Sequence, residues 1–105
     1  MKGNAPDIEG VDGGNPVSGN DIGPIDRNEV ARAFGAALRT ARVQSGLSQE
    51  ELALEGDFDR TYPSLLERGL RTPTIFALLR LAQAMRTDPI RLFADTVRRL
   101  RQNEE

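Results

Sequence analysis

The sequence predicts an all-α fold, a compact domain of five helices preceded by a disordered N-terminal tail. Three observations support this prediction. Residues 46–69 contain the start and stop signals of two short helices separated by a tight turn. A run with helical apolar periodicity precedes this segment, and two more follow it. Two helices joined by so brief a turn cannot form a βαβ unit or a long hairpin, so we expect helices across residues 27–101.

The first helix is expected to begin after Asp26 and to run to about Gln44. Asp26 is a suitable N-cap, and Glu29 stands where it would complete a capping box. The apolar face of this helix consists of Val30, Phe34, Leu38 and Ala41. Gly46 follows the periodic run and can close the helix in the left-handed conformation.

The second helix begins with a strong capping signal. Ser48 and Glu51 form the S-x-x-E pattern, in which each side chain caps the other residue's backbone. An apolar contact and a small residue that permits close helix packing follow at Leu52 and Ala53. The chain must then turn at Gly56 and Asp57. Aspartate enters the left-handed region at a cost of roughly 1 kcal/mol, and we expect Gly56 to share this strain.

Asp59 is expected to cap the third helix. Its inward face would be Tyr62 or Pro63, followed by Leu66. Pro63 lacks an N–H and restricts the residue before it, so the helix should begin late, near Thr61, with Tyr62 semi-extended. The opposite face carries Arg60, Thr61, Ser64, Leu65 and Arg68.

The fourth helix is expected from about Thr74 to Met85, and the fifth opens with Asp88 as cap and Pro89 at its first position. The inward residues of the fourth helix are predicted to be Ile75, Leu78, Leu79, Ala82 and Met85. The fifth carries four apolar residues at three-four spacing, namely Ile90, Phe93, Val97 and Leu100. This row continues beyond what a small core needs, which indicates either a dimer interface or a helix that closes the monomer.

Residues 46–69 resemble the helix-turn-helix family of Cro and the phage repressors, the Xre type. The matching pattern is G-L-S-Q-E-E-L-A, a turn, R-T-Y, and S-x-L-E-R-G with a proline shortly after it. The likeness extends from about residue 27 to residue 95. It implies a lambda-repressor-like DNA-binding domain over residues 27–101, with the helix-turn-helix itself at about 48–69. The chain departs from the family at Asp57, where glycine is usual, and at Pro63, where isoleucine or valine is usual.

The resemblance also implies roles for individual residues. Glu67 would pair with Arg42 and so tie the third helix to the first. An acid turned inward in this way does not repel phosphates. The expected DNA contacts are Gln49, Arg60, Thr61, Tyr62, Ser64, Leu65, Arg68, Arg71 and Thr72. Tyr62 has two alternatives, since its hydroxyl can bind a phosphate or its ring can pack inward against Phe58.

The net charge of −2 conceals an uneven distribution. Residues 1–26 carry one lysine and five acids, a net charge of −4. Residues 27–103 carry 13 arginines and nine acids, a net charge of +4, and Glu104 and Glu105 end the chain. A basic domain between acidic ends suits a nucleic-acid ligand, and arginine forks fit both phosphate oxygens and guanine edges.

The tail, residues 1–26, is rich in Gly, Asn, Asp and Pro and is expected to be disordered. It could compete with DNA for the basic face, bind a protein partner, or be an inert extension. Residues 102–105 form an acidic C-terminal end.

The composition excludes most chemistry. The chain has no cysteine and no histidine, and none of its serines lies beside a plausible general base. We therefore expect neither catalysis nor a metal nor a cofactor. No stretch approaches the ~20 apolar residues that span a bilayer, so we expect a cytoplasmic protein without membrane contact.

Together these features predict a transcriptional regulator that binds double-stranded DNA in a sequence-specific manner. It would act as a homodimer and read a symmetric operator through the helix that starts near Arg60. The alternative is an antitoxin-like or adaptor protein whose main role is to bind another protein.

Overall fold

The computed structural model describes residues 22–102, and this part of the chain forms five α-helices and no strand. The helices are α1 (Arg27–Ser45), α2 (Gln49–Gly56), α3 (Tyr62–Glu67), α4 (Ile75–Met85) and α5 (Pro89–Gln102). The all-α prediction with five helices is confirmed. Residues 22–26 lead into α1 without regular structure, whereas most of the tail, residues 1–21, and residues 103–105 lie outside the described residues.

Side-chain caps define where the helices begin. Asp26 Oδ2 accepts the Glu29 N–H at 3.0 Å, and Thr74 Oγ1 accepts the Ala77 N–H at 3.0 Å. Asp88 Oδ1 accepts the Ile90 N–H at 2.9 Å, directly after the proline-first start that the sequence predicts for α5. These bonds satisfy donors that would otherwise lack partners at the helix starts.

The core lies where α1, the longest helix, meets the other elements. α1 packs against α3, α4 and α5, while α2 packs against α3 and α4. The largest fully buried side chains are Phe34, Leu38, Leu52, Leu66, Leu81 and Pro63. Burying one leucine or phenylalanine side chain stabilises a fold by about 1.5–3 kcal/mol, so these few residues account for much of the stability.

Gly35 sets the distance between α1 and α3. A Cβ atom at this position would lie 2.3 Å from the carbonyl oxygen of Leu66 and 2.8 Å from that of Glu67. Only glycine therefore lets the C-terminal end of α3 lie directly on α1. This contact holds the short α3 in place.

The predicted inward face of α4 is wrong at two positions. Ile75 is 71% exposed and Leu79 is 49% exposed, whereas Ala77 and Leu81 are buried. The segment IFALLRLA is apolar nearly all round, so its sequence has no polar face that would fix the helix rotation. Packing against α2 and α1 selects the buried stripe instead.

No helix within residues 22–102 combines the length and apolar character needed to cross a membrane.

Candidate DNA-binding surface

The start of α2 is fixed by the predicted capping box. Ser48 Oγ accepts the Glu51 N–H at 3.0 Å, and Glu51 Oε1 accepts the Ser48 N–H at 2.8 Å. Gln49, the first helical residue, is half-buried, and its Nε2 donates to Glu67 Oε1 at 3.0 Å. The Gln49 amide is thus held by α3, and its second N–H is still able to donate.

Arg42 and Glu67 come together in the structure. Arg42 Nε donates to Glu67 Oε2 at 2.6 Å, and Arg42 Nη2 donates to Glu67 Oε1 at 3.1 Å. A third bond runs from Arg42 Nη1 to the Leu47 carbonyl oxygen at 2.9 Å. The hydrogen bonds to Glu67 raise the pKa of Arg42 above its usual value, against the opposing effect of burial. The bidentate pair joins α1 to α3.

The Glu67 carboxylate is almost fully occupied by this network. Only 5% of its side chain is exposed, and its two oxygens accept three hydrogen bonds from Arg42 and Gln49. The acid on α3 is therefore neutralised within the protein, and it does not oppose an incoming phosphate.

The turn between α2 and α3 is left-handed at Asp57, with φ 59° and ψ 47°. The Phe58 N–H donates to the Ala53 carbonyl at 2.8 Å, and the Asp57 N–H donates to the Leu54 carbonyl at 3.2 Å. These bonds form a Schellman motif that ends α2. Gly56 is the last residue of α2 and does not have a positive φ, so the expectation that it shares the strain is wrong.

Gly56 is needed for a different reason. A Cβ atom at Gly56 would lie 2.6 Å from the Phe58 ring, which covers this part of the backbone. The Phe58 ring in turn lies 5.1 Å from the Tyr62 ring, centroid to centroid. The Tyr62 ring therefore packs inward, and the resulting burial raises the pKa of its hydroxyl, which stays a proton donor.

α3 begins late, at Tyr62, as Pro63 predicts. Asp59 is not the N-cap, so that expectation is wrong: Thr61 holds the position, and Asp59, three residues before the helix, accepts the Thr61 N–H at 3.0 Å and the Thr61 hydroxyl on its Oδ2. Tyr62 is helical, so the expected semi-extended conformation is wrong. Its N–H donates to the Asp59 carbonyl at 3.0 Å, a tight first turn in which the missing N–H of the buried Pro63 costs little.

The remaining predicted contact residues lie in α3 or next to it. Arg60, Thr61, Arg68, Arg71 and Thr72 are exposed, while Tyr62, Ser64 and Leu65 are half-buried. The exposed residues lie just before α3 and just after it. The structure thus presents arginine and hydroxyl groups at both ends of a short, firmly anchored helix.

A helix-turn-helix family model matches residues 38–92, just over half of the chain. The chain belongs to the helix-turn-helix family. It is 35% identical, over 68 residues, to an uncharacterised HTH-type transcriptional regulator, y4dJ, of Sinorhizobium fredii. That match spans 65% of this chain and 88% of the relative.

Two solved structures show the same fold. The restriction-modification controller protein C.AhdI of Aeromonas hydrophila is 39% identical with a TM-score of 0.63, over 66% of this chain and all of that chain. The controller protein C.Esp1396I, solved as a tetramer with its natural 35-base-pair operator, is 25% identical with a TM-score of 0.61. The match to C.Esp1396I covers 68% of this chain and 93% of that chain.

α5 of this helix-turn-helix protein presents apolar side chains to solvent. Ile90 is 71% exposed and Phe93 is 55% exposed, whereas Val97 and Leu100 are half-buried. The inward face of α5 consists of Leu92 and Thr96. The exposed apolar residues thus lie in the first half of α5.

Two features of the surface are not signalled by the sequence. The bond from Gln49 to Glu67 joins residues 18 positions apart, and the contact of Arg80 with the α2–α3 turn joins residues 24 apart. Neither pair has a spacing that a sequence pattern describes.

Within residues 22–102 no group of three or more acidic side chains is arranged to hold a metal ion.

Proposed function

We infer that this helix-turn-helix protein is a sequence-specific, double-stranded DNA-binding transcriptional regulator that reads an operator through the start of α3. The observation that carries the proposal is the anchoring of α3. Arg42 neutralises the Glu67 charge, and Gln49 donates a further hydrogen bond to it. α3 therefore presents no unpaired acid beside the exposed Arg60 and Thr61. The similarity to a transcriptional regulator and to controller proteins supports this function.

The contact residues divide into positioning and reading groups. Gln49 stands at the N-terminus of α2, where free backbone N–H groups favour a phosphate. Arg68, Arg71 and Thr72 follow α3 and would hold the other flank of the backbone. Arg60 is suited to guanine, Thr61 or Leu65 to a thymine methyl, and Ser64 to a base or a phosphate. Tyr62 would contribute through its hydroxyl alone, because its ring packs on Phe58.

The acid beside Arg60 is already engaged. Asp59 accepts both the backbone N–H and the hydroxyl of Thr61, and these two bonds lower the pKa of its carboxyl. Arg60 makes no ion pair with it within 4 Å in the described structure, so the Arg60 fork remains available to a base. The Thr61 hydroxyl hydrogen points to Asp59, which leaves the hydroxyl oxygen and the methyl group for DNA.

The regulator would act as a homodimer through the α5 row of Ile90, Phe93, Val97 and Leu100. Exposed isoleucine and phenylalanine side chains on one helix face lose contact with water when two copies pair. A two-fold dimer places its two α3 helices on half-sites about 34 Å apart, which requires a symmetric operator. The alternative of an antitoxin-like or adaptor protein has no support from these relatives.

Selection of bound duplexes from a random pool tests the proposal directly. The expected product is a symmetric sequence with two half-sites one helical turn apart. Arg60→Ala should then weaken binding to that sequence by ~1–3 kcal/mol and leave binding to an unrelated duplex nearly unchanged. Arg39→Ala removes the same charge from the exposed face of α1 and is the matched control. Equal losses on both duplexes for Arg60→Ala would exclude a reading role.

A further inference from the structure

Arg80 belongs to α4, yet its guanidinium contacts the turn between α2 and α3. Arg80 Nη2 donates a hydrogen bond to the Gly56 carbonyl oxygen and lies 3.6 Å from Asp57 Oδ2. Arg80 Cζ also lies over the Phe58 ring, 5.3 Å from its centroid, and at the same distance from the Phe76 ring. One side chain therefore contacts the last residue of α2 and the next two residues of the turn.

The hydrogen bond to Gly56 meets a need of α2. The last carbonyls of a helix lack intrahelical donors, and a cation there interacts favourably with the helix dipole. α2 has no basic residue in its own last turn, so Arg80 supplies that cation from α4. The Asp57 side chain is 93% exposed, and its ion pair with Arg80 adds little in water. The carbonyl bond and the ring contacts therefore carry the interaction.

The ring contact connects Arg80 to α3. The Phe58 ring lies against Gly56 on one side and 5.1 Å from the Tyr62 ring on the other. Tyr62 is the first residue of α3. A displacement of Phe58 would therefore change the angle at which α3 leaves the turn. This link matters more here than in a turn with glycine, because Asp57 holds a left-handed conformation at a cost of roughly 1 kcal/mol.

We propose that Arg80 is a positioning residue for DNA reading: it holds the turn and the Phe58 ring so that α3 presents Arg60 and Thr61 in one orientation. This proposal rests on the reading role of α3 proposed above. Arg80 itself does not touch a base in this mechanism. It fixes, from α4, the geometry at which another helix meets the operator.

The test compares Arg80→Met with Arg80→Lys on the selected operator and on an unrelated duplex of equal length. Methionine keeps an apolar stem and removes the guanidinium, and we expect operator affinity to fall about tenfold while affinity for the unrelated duplex falls by no more than about twofold. Lysine keeps a cation that can reach the carbonyl but lacks the planar fork, so it should recover part of the loss. Arg86→Gln removes one charge from the exposed end of α4 and should change both affinities alike.

Amide hydrogen exchange separates positioning from general stability. The Asp57 and Phe58 amides, which close α2, should exchange faster in Arg80→Met, while core amides of α1 keep their protection. Equal losses on both duplexes would mean a direct phosphate contact, and a uniform loss of protection with an unchanged affinity ratio would mean a purely structural role. Either result overturns the proposal. If the wild-type protein prefers no duplex, the reading function itself fails, and the exchange data still decide whether Arg80 holds the turn.

Discussion

At the scale of single residues, Asp59 shows how an exposed acid can shape the start of a helix. Its carboxylate accepts the Thr61 hydroxyl and the Thr61 N–H, and these bonds lower its pKa, the hydroxyl contributing most. Because the folded pKa is depressed, the stabilisation is present above the unfolded value of about 3.9 and is lost as pH falls through the folded pKa. Near neutral pH Asp59 is fully ionised and the start of α3 is held.

An NMR titration can check this sign. We expect the Asp59 carboxyl to titrate below about 3.9, together with the Thr61 amide resonance, which should move as its acceptor is protonated. Thr61→Val removes the hydroxyl donor and should bring the pKa back toward the ordinary value. A wild-type Asp59 that already titrates like an exposed peptide aspartate would show that these bonds do not persist in solution.

Residue-scale predictions from the sequence succeeded where a local rule applies. The Ser48–Glu51 box, the left-handed Gly46 and the late start of α3 all follow from capping and proline chemistry, which act within a few residues. The role of Arg80 did not follow, because its partners are supplied by tertiary packing. The predicted semi-extended conformation of Tyr62 was wrong for a related reason. Its packing on Phe58 outweighs the local bias of a residue before proline.

At the scale of elements, α3 is too short to be stable alone and depends on α1. A helix of six residues has few internal hydrogen bonds, so its neighbours must hold it. Two contacts with α1 do this, the Arg42–Glu67 pair and the close approach at Gly35. The first followed from a family resemblance, whereas nothing in the sequence marks Gly35 as a contact, because a glycine inside a helix reads only as a weak helix former.

Gly35→Ala tests the close approach. Alanine favours a helix interior by about 1 kcal/mol over glycine, but here its Cβ would lie 2.3 Å from the Leu66 carbonyl oxygen. We expect a net loss of ~1–3 kcal/mol in the free energy of unfolding, measured by urea denaturation, because α3 must move away. Ala36→Gly at the adjacent, half-buried position reports mainly the helix-propensity effect. A stabilised Gly35→Ala protein would contradict the packing described for α1 and α3.

At the scale of the whole molecule, ion pairs within the fold neutralise part of the arginine charge. Arg98 and Arg99 both bind Asp95, whose burial favours the neutral acid but whose pKa is lowered overall by these two arginines. Arg99 also donates to Thr40 Oγ1 of α1 at 3.1 Å. These two cations tie α5 to itself and to α1. Arg60, Arg68 and Arg71, before and after α3, make no ion pair within residues 22–102, so their charges remain available to the proposed DNA surface.

A single substitution can test the proposed dimer, a property of the whole molecule. Phe93→Asp places a charge on the exposed α5 row, where it should leave the monomer folded, because the side chain is already 55% exposed. We expect sedimentation equilibrium to change from dimer toward monomer, and affinity for a two-half-site duplex to fall toward that for a single half-site, because the second site no longer acts at high effective concentration. Leu54→Asp makes the same change at an 81% exposed position of α2 and should leave the mass unchanged. A dimer that survives Phe93→Asp, or one that dissociates with Leu54→Asp, would place the interface elsewhere.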